Sequence, residues 1–524
     1  MKPASQTALE PLMPTLHPAP FKRLQLVLAV SLLVCLIGMG LSAMFQVPRP
    51  YEVDYEEGNV LNACLRLLEG QNPYPPPDQL PSALNPYGPV AYGILAAPLS
   101  ASSPSFTPGR IVVFGFSILS AVLIALTIGR AKGNWRVALL FGPLYLSFPV
   151  VQDWMFLLRV DFIGVAFSLT GLYLFAIAVG DGYSSSAKPA QARIGRSPTY
   201  DIAWLWPVPF FTLAFFTKVT FIAAPVSCVV YLLWTRRLRR AALFLTTLSL
   251  LNIAVFLGVQ RWSDSWFFFH NFRTHPDPYT LAHLGHMSRG LLAQIVPLLL
   301  GVVYSVRQFR RRRASLFAIY FVVAFMASLT AGKEGSSTNH YLELLAAACV
   351  CAGLLFADVL RAIGSDGEQK ISARSQRWLG AALLTLAVCG VAVLPRRVMP
   401  QLEPRRAEFA GCEELYRYVR LHTGRRVLSE NTGAVLLAGK PVVVSNPFVY
   451  GQLATNGGGS DKPLRELVDA RYFDVIILAD STDNFRRVPS LVWSPQLLAS
   501  IDRQYVPVRQ FTCAYGGVAY EPKR

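Results

Sequence analysis

Four carboxylates fall within six residues of one polar stretch, YEVDYEEG: Glu52, Asp54, Glu56 and Glu57. A carboxylate can take a proton from an attacking hydroxyl, and cations can receive a phosphate as it leaves, so the two together suit group transfer from a phosphate ester. The cations stand apart from the acids: Arg159 in LLRVDF, Lys218 in FFTKVTF and Lys333 in GKEGSSTNH. Taken alone, a run of acids reads equally as a solvated loop. Its company at the ends of long apolar runs is what makes it a candidate site, because charge at membrane depth is costly and tends to mark function.

Each of these positions has a structural reading beside the chemical one. Ser336 and its neighbours can cap the helix that begins near Tyr341, and its free N–H groups with Lys333 would then face an anion. The alternative is an ordinary cap with a lysine reaching for the headgroups. Asn339 and Glu343 share a face at a spacing of four, and Glu343 then needs a partner one turn inside the apolar run. Glu334 and His340 belong to the same loop. Asp161 reads as a cap paired to Arg159, and Lys218 as either a snorkelling lysine or a phosphate contact. His270 lies in WSDSWFFFHNFRTH, most simply an interfacial aromatic belt; His270, His275 and His286 are too loosely spaced to specify a metal. Tyr87 sits in NPYGP, turn chemistry first and a sugar or lipid contact second.

The elements that must carry these residues are membrane helices. The chain has 524 residues, 53% of them hydrophobic and 15% charged, with a mean hydropathy of +0.38. That excludes a soluble globule. Apolar segments are expected at 24–46, 109–129, 137–152, 161–180, 202–217, 219–235, 241–260, 287–306, 314–331, 340–360 and 378–395, eleven spans in a transmembrane unit of residues 24–395. Residues 1–23 form an N-terminal tail. No small-residue cleavage site follows the first apolar run, which reads as an uncleaved anchor. With the tail in the cytoplasm, every second connection is strongly basic: Arg130/Lys132/Arg136, Lys188/Arg193/Arg196, the Arg236–Arg240 turn, Arg307 to Arg313, and Arg361/Lys370/Arg374/Arg377. The net charge of +18 is therefore a topological signal, and nucleic acid is not expected as a partner. Val90 to Ala101 is too short to span and reads as a re-entrant or interfacial helix. On this topology the acids and the separated cations share the outer face, with the loop 47–108 as the catalytic one.

Beyond residue 395 the pattern changes to that of a small α/β domain over 396–524, outside the membrane. Arg426–Glu430, Pro441–Ser445 and Asp474–Leu478 read as buried strands, Leu464–Ala470 as a helix and Val506–Tyr520 as a hairpin. Gly457–Gly459 is a turn rather than a phosphate cradle, and no nucleotide-binding motif is present. Of the eight cysteines, Cys412 and Cys513 alone belong to this domain and are expected to form a disulfide.

The stretches DYEEG, LLEGQNPY and NPYGPVAYGILAAPL, with LLRVDFIGVAFSLTGLYL, FFTKVTFIAAP and GKEGSSTNHYLELLAA, resemble the multi-spanning GT-C superfamily of glycosyltransferases, in particular its mannosyl- and arabinosyltransferase-like members. The resemblance implies a polyprenyl-phosphate sugar as donor, a glycan, lipid or protein as acceptor and an envelope location in the plasma (inner) membrane. It places the essential acid at Asp54, with Glu56 or Glu57 as the second; Tyr55 interrupts the usual pair of adjacent acids. Donor phosphate contacts would fall to Lys333, Ser336, Asn339, Lys218 and Arg159. No organic cofactor is called for, and a divalent metal is left open. The rival readings are a transporter or flippase of a lipid-linked glycan, and a polysaccharide polymerase or ligase. A transporter would gather its ionisable residues near the midplane, often in related halves, and no internal repeat is present.

Overall fold

The computed structural model describes residues 19–364 and 406–524, apart from 78, 101–102, 181–197, 275–277, 422–423, 425, 457, 483, 485–491 and 514. The expected eleventh span at 378–395 and its flanking basic residues lie outside the described residues, as do Lys188/Arg193/Arg196, His275 and most of the N-terminal tail.

Among the described residues six helices are long and apolar enough to cross a membrane: Gln25–Gln46, Thr107–Lys132, Asp161–Val179, Leu238–Trp262, Leu281–Arg310 and Thr338–Arg361. Four shorter apolar helices, Trp135–Leu146, Ile202–Phe215, Ala223–Trp234 and Leu316–Gly332, accompany them. The run expected at 137–152 is broken. A helix over Trp135–Leu146 starts on the Asn134 side chain, which accepts from Val137 N–H at 3.2 Å, and ends before Pro149. Proline forces its predecessor out of the helical region, and Phe148 has φ −70° and ψ 134°. A short helix, Pro149–Trp154, then leads to Arg159. The short helix expected over Val90 to Ala101 is present but shorter, Pro89–Ala96, ending just before Pro98. It docks on the turn after the Pro207–Phe215 helix, with Gly88 N–H bonded to Thr217 O at 3.0 Å and Val90 N–H to Phe216 O at 3.2 Å. A Cβ on Gly88 would stand 1.8 Å from Phe216 O, so only glycine permits the contact.

Residues 406–524 fold around a four-stranded sheet. We label its strands β1 (Val427–Ser429), β2 (Val475–Leu478), β3 (Tyr505–Gln510) and β4 (Val518–Pro522). Their order is β1-β2-β4-β3, with β1 parallel to β2 and the other pairs antiparallel. A parallel pair needs a crossover, here supplied by the helices Thr432–Leu437, Pro447–Thr455 and Lys462–Asp469. Alternation along β2 divides the core: Ile476 and Leu478 pack with Phe473, Leu497 and Ile501, while Val475 and Ile477 face Leu415 and Val419. Pro441–Ser445, expected as a strand, joins no sheet. Its Val444 instead makes an isolated bridge to Ser82 in the first loop, because the backbone of that segment is used to dock rather than to extend the sheet. Cys412 and Cys513 are bonded, closing 101 residues of chain.

Buried polar contacts clamp this unit onto the first loop. Glu52, 2% exposed, accepts from Gly433 N–H at 2.6 Å, and its own N–H donates to Tyr416 Oη at 3.0 Å. A Cβ on Gly433 would meet Glu52 Oε2 at 2.7 Å. Asn446 Nδ2 donates to Glu56 Oε1 at 2.9 Å, and Ser445 Oγ to Asn59 Oδ1 at 3.0 Å.

Candidate active site

The helix Tyr55–Leu68 begins with Asp54 as its N-cap and Glu57 as the return half of a capping box. That local chemistry sorts the four acids into different environments. Glu57 is fully buried and accepts from Arg110 Nε at 2.8 Å, Arg110 Nη2 at 2.7 Å, Leu158 N–H at 2.6 Å and Val53 N–H at 2.8 Å. Burial alone would raise its pKa, but the Arg110 guanidinium and these N–H groups outweigh it and hold the carboxyl below its ordinary range. Glu57, expected as a second acid, has its lone pairs committed to holding the loop. Glu56 is likewise occupied, by Asn446 and by Asn59 Nδ2 at 3.1 Å. Burial pushes Glu52 well up, and the Gly433 N–H only partly opposes this.

Asp54 is different. Its side chain keeps 20% exposure, and its Oδ1 accepts from Arg159 Nη1 at 2.6 Å and from Glu56 N–H at 3.2 Å. Burial raises its pKa, Arg159 lowers it, and the neighbouring Glu57 and Glu56 raise it again; the net direction is up. That is the direction a proton acceptor needs.

From Asp54 a chain of charges runs inward. Arg159 Nε lies 3.8 Å from Asp161 Oδ2, while Asp161 Oδ1 accepts from Lys218 Nζ at 2.9 Å and from Asn339 Nδ2 at 2.9 Å. Asp161, at the start of the helix Asp161–Val179, caps nothing with its side chain; it gathers cations from two other segments instead. Arg159 lies over the rings of Tyr87 and Trp154, 5.6 and 5.0 Å from their centroids, and Lys218 lies 5.7 Å from that of Tyr87. Three atoms in this cluster, Arg159 Nε, Asp161 Oδ2 and Asn339 Oδ1, are buried without a hydrogen-bond partner. Unsatisfied groups in one place cost stability unless water or a substrate meets them.

The remaining expected residues lie around this cluster. In the 333–340 loop, the Lys333 backbone bridges Tyr279, Glu334 N–H donates to Pro278 O at 3.0 Å, Ser336 Oγ approaches Thr330 O at 3.5 Å and His340 Nδ1 meets Thr330 Oγ1 at 2.9 Å. The anticipated side-chain cap on the following helix is not made at Ser337; the next residue, Thr338, accepts through Oγ1 from Trp154 Nε1 at 2.9 Å. Asn339 and Glu343 do not share a partner: Glu343 turns to Tyr320 Oη, at 3.2 Å. His270 is buried, with Nδ1 accepting from Asn85 N–H at 3.0 Å and Nε2 2.8 Å from Pro75 O. Burial pushes it down to about 4. It ties the Asn85-Pro86-Tyr87 turn to the segment after Asn72-Pro73-Tyr74, and the structure does not bring it to Asp54. No group of three or more His, Cys, Asp or Glu side chains able to hold a metal ion occurs among the described residues.

Sequence reasoning passed over Arg110, Trp154 and Asn446. Arg110 carried a signal: a lone cation entering an apolar helix needs an anion. Trp154 and Asn446 carried none.

The fold is shared, at low sequence identity, with proteins of known structure. The chain is similar to ArnT from Cupriavidus metallidurans in its apo state, with a TM-score of 0.59, 13% identity and 96% of this chain and 98% of that one covered. The same enzyme bound to undecaprenyl phosphate gives 0.57 at 13% identity, covering 94% and 97%. The oligosaccharyltransferase AglB from Archaeoglobus fulgidus, in complex with an inhibitory peptide and a dolichol-phosphate, gives 0.55 at 12% identity over 94% of this chain and 74% of that one. No protein-family model and no curated protein matches the sequence.

Proposed function

We propose that this protein is a membrane glycosyltransferase that moves a sugar from a polyprenyl-phosphate donor to an acceptor on the outer side of the plasma membrane. The observation that carries the reading is a chain in which the part-exposed Asp54 pairs with Arg159, Asp161 links Arg159 to Lys218 and Asn339, and three buried atoms are left without a hydrogen-bond partner. The lipid phosphates bound by ArnT and AglB on the same fold support it.

In the proposed reaction an acceptor hydroxyl attacks the anomeric carbon and the bond from that carbon to the phosphate oxygen breaks. Asp54 takes the hydroxyl proton or orients the acceptor, and the electron pair leaves on the polyprenyl phosphate. Arg159 and Lys218, oriented by Asp161 and Asn339, stabilise the departing charge. Lys333 and Ser336, in the loop that delivers Asn339, are the outer phosphate contacts. The unit 24–395 holds the site, the tail 1–23 lies in the cytoplasm and the α/β domain 396–524 lies outside.

Deleting the gene in its host and comparing lipid-linked sugars with finished glycans tests the reading. One polyprenyl-phosphate sugar is expected to accumulate while one glycoconjugate loses a residue. Unchanged sugar pools with altered export of a glycan would overturn it in favour of transport.

A further inference from the structure

The end of the bundle opposite Asp54 holds two arginine turns that the sequence separates by some seventy residues. The helix Ala223–Trp234 starts close after Lys218 and runs about 18 Å at 1.5 Å per residue, ending at the turn that carries Arg236, Arg237, Arg239 and Arg240. The helix Ile295–Arg310 ends at Arg310 to Arg313. Trp234 stacks on Phe309 with centroids 5.5 Å apart and planes inclined by 21°, which sets the two turns side by side. No carboxylate lies in either arginine run. Arg236 and Arg312 adopt left-handed backbone with φ 55° and 51°, positions that ordinarily favour glycine.

Beside this patch lies a groove of about 430 Å³, lined by Val302, Val303 and Val306 and rimmed by Arg307, Arg310 and Arg311. The three valines are 46%, 52% and 42% exposed. An apolar stripe running into a crowd of arginines has the shape of a phospholipid: acyl chain along the valines, phosphate among the guanidinium groups.

We propose that this end of the bundle is a binding site for an anionic phospholipid whose headgroup carries two phosphates. One phosphate is held by Arg307, Arg310 and Arg311. The other is held by the adjoining turn at Arg236 and Arg239, brought within reach by the Trp234–Phe309 stack. The alternation of basic loops needs positive charge at this end of the helices but does not need two runs stacked together over a groove. The site stands whichever reaction the Asp54 end performs.

The test uses the purified full chain in nanodiscs of phosphatidylcholine, alone or with tetraoleoyl cardiolipin or phosphatidylglycerol, followed by native mass spectrometry and thermal unfolding. Wild type is expected to retain cardiolipin and to unfold at a higher temperature with it. The triple variant Arg307→Gln/Arg310→Gln/Arg311→Gln should bind it about 100-fold more weakly, at about fivefold per charge. Trp234→Ala, which parts the two turns, should weaken cardiolipin but not phosphatidylglycerol. Equal binding of the two lipids by wild type, or an equal loss in Arg130→Gln/Arg136→Gln on a different basic turn, would overturn the proposal. Unchanged cardiolipin binding in the triple variant would also do so.

Discussion

Arg110 and Glu57 form an ion pair with both side chains fully buried and an N···O distance of 2.7 Å. They lie 53 residues apart, and their pairing engages both oxygens of Glu57 in holding the acidic loop. Breaking a buried pair from one side leaves a bare charge, at a cost of about 3–5 kcal/mol. Glu57→Gln should therefore lower the unfolding midpoint of the detergent-solubilised protein sharply. Arg110→Met should do the same, and Arg110→Met/Glu57→Leu should recover part of the loss. A Glu57→Gln protein that is stable yet inactive would return Glu57 to the reaction.

Asp54→Asn keeps the size of the side chain and removes the proton acceptor. Turnover is expected to fall by about 100-fold or more with donor binding nearly intact. Initial rates against donor concentration in proteoliposomes separate the two effects. If Asp54→Asn, Glu56→Gln and Glu57→Gln all transfer at the wild-type rate, the acidic loop is not the catalytic centre.

Lys218 and Lys333 would act on a phosphate that is charged both before and during transfer. Their removal should weaken the ground state as well as the transition state. Lys218→Met and Lys333→Ala are each expected to raise the donor KM by about tenfold, with kcat also reduced. A lower kcat at unchanged KM would confine their contact to the departing charge in the transition state, and unchanged kcat and KM would move both lysines off the donor.

Glu430 predicts a pH dependence of stability. It is buried, pushed up to about 7 from 4.5, with the N–H of Trp493, which donates to it at 2.7 Å, partly opposing the rise. The native state thus keeps a proton that the unfolded chain has released. The associated stability is fully present below about pH 4.5 and is lost as pH rises through about 7. The loss amounts to roughly 3 kcal/mol. Hydrogen exchange of β1 and β2 in the intact protein should quicken across that window, and Glu430→Gln should flatten the profile.

The Cys412–Cys513 bond closes 101 residues and is worth about 3–5 kcal/mol on the chain-entropy argument. Cys412→Ser/Cys513→Ser should destabilise the sheet domain by that order while leaving the membrane helices folded. Limited proteolysis with and without reductant reads this directly. Equal protection in both states would show that packing alone holds the domain.

Local patterns carried much of this protein. Apolar runs of span length, the short apolar helix near residue 90, the buried apolar runs of β1 and β2, and the pairing of the two cysteines of the sheet domain are legible because hydropathy and composition act over a few residues. Asp54, Arg159, Lys218 and Asn339 were legible as charged or polar groups at helix ends, and so was the nearness of Asp161 to Arg159, but the links from Asp161 to Lys218 and Asn339 were not. Asp161 meets Asn339 across 178 residues and Glu56 meets Asn446 across 390. Which acid is paired away, which keeps partial exposure, and where Trp234 meets Phe309 are settled by how the helices pack. A carboxylate's environment comes from what the rest of the chain folds against it, and that is a property of the tertiary structure alone.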